Sequence, residues 1–339
     1  MQSKVKNERP LAEEAAPSGT SLKRVGSWLF QTQEGILLLI VLGLCVVLTY
    51  QSPVFLTSRN IGVLLSQISM TAIAAVGMTT LIIVGEVDLS VGSLQAFIGV
   101  ITMQVLNQTT NLPVALVVGL ALGALVGLVN GLLTLGLGIS SFIVTLGMLG
   151  VLRGLSYAST SAAVQNTANL PSFSTIGNGF IGFIPWPVAI MAFIFLIFYL
   201  LLNRTTLGRY IYATGGNRTA ARLAGLQVNK LKLLCFVLAS TLASLSAIIL
   251  ISRLNSGQNN AGFGFELQVV GAVLLGGTSL QGGRGSLIGT LLAVLLLGVL
   301  NNGIVLLNIN SSWQTAMNGL VILFAIFLDA RRRRKAGEA

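Results

Sequence analysis

An all-α integral membrane protein with about ten transmembrane helices is the fold class the sequence predicts, and three observations carry it. Hydrophobic residues make up 54% of the 339 and charged residues only 9%, too little polar surface to solvate a soluble domain. The apolar residues gather in repeated runs near the 20 or so that a helix needs to cross roughly 30 Å of hydrocarbon. These runs are rich in Leu, Ala, Gly and Val and do not alternate, which argues against a β-barrel. The basic residues fall mostly into blocks separated by even numbers of such runs, as the positive-inside rule requires.

Taken in order, the polar stretch "MQSKVKNERPLAEEAAPSGTSLKRVGS" predicts a disordered tail over 1–30 on the cytoplasmic side. It leads into a first span without an obvious small-residue cleavage site, so that span is expected to stay as an anchor. Spans are expected near 34–50, 61–84, 88–106, 113–136, 140–157, 183–202, 231–252, 266–280, 284–307 and 312–329, within a transmembrane domain over 31–330. Seventeen of the 20 Lys and Arg then lie on one side; only Arg59, Arg153 and Arg253 fall outside. An even count puts both termini in the cytoplasm. The basic tail 331–339 carries "RRRRK", read as a topological stop at the inner surface rather than a lipid-binding site.

Several chemistries are excluded at once. The chain has no histidine, which removes Ser-His hydrolysis and His-ligated zinc. Cys45 and Cys235 stand alone inside apolar runs and read as packing residues; no metal-ligand spacing exists. The net charge of +11 has no water-soluble basic face to sit on, so it reports orientation and not nucleic-acid binding.

The two halves echo each other. "DLSVGSLQAF" from Asp88 and "ELQVVGAVLL" from Glu266 open spans alike, and "GALVGLVNGLL" and "VLLLGVLNNGI" end the following spans with Asn130 and with Asn301 and Asn302. Matched spans run in opposite directions, the signature of an inverted repeat with a pathway at the interface of its halves.

Within "VGEVDLSVGS", Glu86 and Asp88 are carboxylates that a bilayer accepts only against protein or water. Gly85 and Gly92 are candidates to break the helices there and set the acids deeper. Asp88 is expected to cap the next span through amides near Ser90 and Val91 and also to serve the pathway, whereas Glu266 fits a cap and a pathway residue equally. Neutral polar residues in apolar runs complete the candidate pathway: Ser90, Gln95, Asn130, Thr145, Asn301, Asn302 and Asn318. The same residue types also glue helices together. No basic relay partner for the acids is expected inside the spans.

The longest basic connection, 203–232, contains "RTAARLAGL" after a Gly-Gly-Asn turn, which predicts a short amphipathic helix with Arg218 and Arg222 one turn apart. Ala220, Ala221, Ala224 and Gly225 are small enough to let another backbone approach. The glycines of "LLGGTSLQGGRGSLIG" read as a tight inner turn and not as a phosphate loop.

Four stretches in this order, "VDLSVGS", "NGLLTLGLGISSFIVTLGMLGVLRGL", "GRYIYATGGNRTAARLAGL" and "GFELQVVGAVLLGGTSLQGGRGSLIGT", make the chain resemble the permease subunits of bacterial ABC importers for monosaccharides, of the ribose and xylose type, over residues 35–330. The resemblance implies a plasma-membrane pore of two permease copies or a permease and a paralogue. It also implies a solute-binding protein outside and ATPase subunits inside. It places ATPase coupling on Gly215, Gly216, Asn217, Arg218, Ala220, Ala221, Arg222, Ala224 and Gly225. The chain lacks GxxxxGK[ST], so ATP and Mg are expected in the partner ATPase and no cofactor in this chain. Glu86 stands where the family commonly has Gly, and Ser140 and Ser141 where it often has Pro. Three alternatives remain: a branched-chain amino-acid ABC permease, an ion-coupled secondary transporter using Glu86, Asp88 or Glu266, and a structural or scaffolding membrane protein, which the buried acids disfavour.

Overall fold

Backbone amides at the start of a membrane helix find no water to bind, so each needs an acceptor from the chain itself. This need places small polar residues at helix starts in the computed structural model, which describes residues 32–166, 170–310 and 312–335. Thr32 accepts the Gly35 amide to start α1 (Gln33–Gln51), and Thr57 accepts that of Asn60 to start α2 (Ser58–Ile83). After α3 (Val91–Thr109), Asn111 accepts the Val114 amide to start α4 (Leu112–Leu137). α5 (Ser141–Thr160) leads to a small elaboration: β1 (Gln165–Asn166), α6 (Pro171–Asn178) and the hairpin β2 (Phe180–Ile181) and β3 (Ile184–Pro185). There follow α7 (Trp186–Arg204), α8 (Thr206–Gly216), α9 (Arg218–Leu223) and α10 (Val228–Leu254). β4 (Ser256–Gly257), which pairs with β1, and α11 (Phe265–Leu275) lead to α12 (Leu287–Leu306) and α13 (Ser312–Lys335).

The all-α expectation holds, with the spans redrawn in places. Among the described residues seven helices, α1, α2, α4, α5, α7, α10 and α12, are long and apolar enough to cross a bilayer. The run predicted at 88–106 becomes α3, which starts three residues later. The run at 266–280 yields only the 11 residues of α11, about 16 Å, too short to cross about 30 Å alone. Gly264 and Gly277, both at positive φ, bracket it and force the chain out of helix. The last helix continues through "RRRRK" to Lys335. The predicted tail 1–30 lies outside the described residues.

α2 and α10 form the centre, with 72% and 67% of their apolar windows buried, against 17% for α7. They cross antiparallel: a Cβ on Gly77 would stand 2.8 Å from Ala239 Cα, and Ser246 Oγ donates to Met70 O at 2.8 Å. α4 lies along α10 through four glycines in register. Added Cβ atoms at Gly119, Gly123, Gly127 and Gly131 would collide with Ile248, Ser244, Phe236 together with Ser240, and Phe236 with Leu233. This is the G-x-x-x-G spacing that lets two helix backbones approach without intervening side chains.

Two long helices, α2 and α10, are each followed by a non-helical segment, 84–90 or 255–264, and then by α3 or α11. The starts of α3 and α11 meet, since Gly262 packs against Gly92 O, and the two helices run apart from there. This is the antiparallel matching the internal repeat predicts. The end of the molecule carrying α8 and α9, with Arg209, Arg218 and Arg222, is its basic end. The N-terminus of α1 lies there too, where Gln33 Nε2 donates to Leu275 O.

Candidate functional site

Glu86 and Asp88 sit where α2 stops. Gly85, at φ +86°, closes a Schellman cap: Glu86 N donates to Leu81 O at 3.0 Å and Gly85 N to Ile82 O at 2.9 Å. Residues beyond it run extended into the bundle, where their amides would be orphaned without side-chain help. α5 supplies that help: Ser141 Oγ accepts Val87 N at 3.2 Å and Thr145 Oγ1, one turn on, accepts Leu89 N at 3.0 Å. The serine that departs from the family pattern is thus a holder of the break.

Asp88 is fully buried in a knot of donors. Its Oδ1 accepts Ser90 N (2.8 Å) and Ser90 Oγ (2.6 Å), and its Oδ2 accepts Ser240 Oγ (3.1 Å) and Asn130 Nδ2 (3.4 Å). The residue at the cap position of α3 is Ser90, which makes no side-chain cap bond; Asp88 turns the chain just before it. Asp88, Ser90, Asn130 and Thr145 therefore come together, in a packed knot and not in an open route. Of the two glycines expected to break helices, Gly85 does so, whereas Gly92 sits inside α3 and leaves room for Glu266 and Gly262.

Glu86 lies nearer the basic end, ion-paired with Lys232 at 2.6 Å, both side chains nearly buried. That pairing corrects the expectation that no basic partner stands near these acids. Glu266 turns toward Gly92 of α3 and shares its surroundings with Arg153 of α5.

A cavity of about 460 Å³ opens at the end opposite the basic one, bounded by α2, α3, α11, α12 and α13. Gln67, Thr71, Gln95, Gln268, Asn301 and Asn318 give it amide and hydroxyl walls, and no charged side chain among the described residues lines it. Asn60 and Asn302 also reach it, but they are committed to each other by reciprocal amide bonds of 3.1 and 2.9 Å. The Oδ1 atoms of Asn301 and Asn318 are buried with no protein donor. Of the candidate pathway residues, Gln95, Asn301, Asn302 and Asn318 line this cavity; Glu86, Asp88, Ser90, Asn130, Thr145 and Glu266 do not. Gln67, Thr71 and Gln268 were missed, although amides and hydroxyls in apolar runs are the signal already used for the others.

At the basic end, Gly215 is pressed on the end of α2, where a Cβ would stand 1.8 Å from Ile83 O. Gly283 N donates to that same oxygen at 2.8 Å, and Tyr212 Oη donates to Gly285 O at 3.0 Å. α8 is thereby bolted to the glycine turn 276–286, whose Gly277, Gly282 and Gly283 take the positive φ expected of a tight turn. Gly216 has space for a side chain. Asn217 caps α9 by accepting Ala220 N at 2.9 Å, and Gly225, at φ +84°, closes the helix. Arg218, Ala220, Arg222 and Ala224 are exposed. Ala221 is 5% exposed and packs inward, so the small-residue argument there concerns this chain's own packing. Leu223, 84% exposed, is the apolar tip that composition did not single out.

The profile of the family described as "Branched-chain amino acid transport system / permease component" matches residues 60–326. The chain is 42% identical to the ribose import permease protein RbsC of Escherichia coli K12 over 310 residues, covering 91% of this chain and 96% of that one. It is 40% identical to RbsC of Bacillus subtilis, covering 85% and 90%, and 35% identical to the L-arabinose ABC transporter permease protein AraH of Azospirillum brasilense, covering 92% and 91%. No solved structure matches.

Proposed function

The chain belongs to the family of branched-chain amino acid transport system permease components, and on that premise we propose that it carries a neutral monosaccharide inward as the membrane subunit of an ABC importer. The observation that carries this reading is the cavity walled by neutral amides and hydroxyls. A polyol offers many donors and acceptors and no net charge, which such walls match. A branched-chain amino acid brings a carboxylate and an ammonium into a space that presents no charge to either. The relatives named for ribose and L-arabinose support the same cargo class.

Ion coupling is disfavoured by the same geometry. Glu86 is paired with Lys232, Asp88 is saturated by four donors, and Glu266 faces Gly92; none opens on the cavity. Energy then comes from an ATPase subunit docked at the basic end on α8 and α9, and the cargo from a solute-binding protein at the opposite, outer mouth. Both termini lie in the cytoplasm of the bacterial cell in this orientation, which the distribution of Lys and Arg supports. A second permease copy or paralogue completes the pore.

Uptake of D-ribose and L-arabinose into proteoliposomes tests the reading, with the permease reconstituted together with its ATPase and binding protein. We expect uptake only when all three proteins and ATP are present, unchanged by ionophores. Accumulation by the permease alone under an imposed ion gradient would overturn the proposal.

A further inference from the structure

Segment 255–264 enters the cavity on a backbone pinned at several points. Arg153 Nη1 donates to Asn259 O at 2.7 Å and Ala261 O at 2.8 Å. The Asn259 side chain accepts Ser156 Oγ at 2.9 Å and donates to Thr160 Oγ1 at 3.0 Å, both on α5. Gly262 is pressed on α3, where a Cβ would stand 2.3 Å from Gly92 O and 2.9 Å from Gln95 Oε1. Gly262 and Gly264 both take positive φ, +67° and +76°. Between them Phe263 is thrust into the cavity mouth, 85% exposed. Each pinning bond satisfies a polar group, yet together they hold an apolar ring out of the protein, so the ring lacks the burial that would ordinarily fix it.

We propose that Phe263 is a stacking plate for the transported sugar, its ring face meeting the C–H face of the monosaccharide while Gln268, Asn301 and Asn318 take the hydroxyls. The proposal rests on the sugar-permease reading and deepens it. A sugar ring carries one face of C–H bonds polarised by neighbouring oxygens, and the negative face of an aromatic ring attracts them. Amides alone would bind the rim of a polyol and leave that face in water. Asn301 and Asn318 line the cavity, and an amide side chain offers both donors and an acceptor to hydroxyls.

The test compares Phe263→Ala, Phe263→Leu, Phe263→Tyr and Phe263→Trp in the full reconstituted complex, with D-ribose as cargo and binding protein at saturation. Removing the ring in the Ala and Leu variants is expected to slow maximal uptake about fivefold, while Tyr and Trp stay within about twofold of the unaltered protein. The concentration of loaded binding protein giving half-maximal uptake is expected not to move. In detergent, D-ribose is expected to shift the emission of Phe263→Trp relative to the unaltered permease. Wild-type uptake in Phe263→Leu, an emission spectrum that D-ribose does not move, or weakened binding-protein dependence in Phe263→Ala would each overturn the proposal, the last by making Phe263 a docking residue. Absence of uptake by the unaltered complex would instead overturn the functional reading itself.

Discussion

At the scale of single residues, the acids near the break are occupied, and the identity of their partners says what each does. Asp88 takes donors from three separate segments, the turn before α3, α4 and α10, and so ties the break to both. Glu86 and Lys232 join the end of α2 to the start of α10. A buried ion pair is costly to half-remove, since the surviving charge keeps its desolvation penalty without its partner. We expect Lys232→Ala to destabilise the permease by about 3–5 kcal/mol. Lys232→Gln with Glu86→Gln is expected to recover most of that loss. The apparent unfolding midpoint in detergent measures both, and equal midpoints for the single and double variants would contradict the assignment.

Among the elements, the α4–α10 contact depends on the glycine stripe more than on any side chain. A Cβ on Gly127 would stand 2.5 Å from Phe236 O and 2.9 Å from Phe236 C, both backbone atoms that cannot turn away. Gly147, in α5, has nothing within 4 Å of the same added atom. The expected result is that Gly127→Ala lowers the yield of folded protein sharply, whereas Gly147→Ala leaves it unchanged or raises stability by about 0.5–1 kcal/mol through helix propensity. Size-exclusion profiles of the two variants decide this directly. A similar yield for both would mean that the two helices tolerate separation.

On the scale of the whole molecule, the cavity and the surface of α8 and α9 lie at opposite ends, joined by α2, whose Ile83 carbonyl receives Gly283 and abuts Gly215. A push on α8 is thus delivered to the end of a helix that lines the cavity. Leu223, at the exposed tip beside Arg218 and Arg222, is the contact we propose for an ATPase groove. Leu223→Asp is expected to abolish ATP-driven sugar uptake and weaken ATPase co-purification while leaving the unfolding midpoint in place. Ala221→Leu, by contrast, is expected to lower the midpoint as well, because that side chain packs inward. Normal uptake by Leu223→Asp would remove the coupling role from this tip.

The sequence alone determined the class, the direction of matched spans, the need for protein around each buried acid and the basic connection, because hydropathy and charge are sums over residues that need no neighbours. It also placed Gln95, Asn301, Asn302 and Asn318 among the pathway candidates, by polarity in apolar runs, and the cavity collects all four. Tertiary structure decided what such counting cannot reach. Which polar residue faces a cavity and which ties a break depends on partners far away in the chain, as Asp88 to Ser240 and Glu86 to Lys232 show. The shortness of α11 depends on Gly264 and Gly277 taking positive φ at its two ends, and Phe263 stands out only because distant side chains fix the loop beneath it. Composition records what a residue prefers; packing across the bundle records which preferences could be met together.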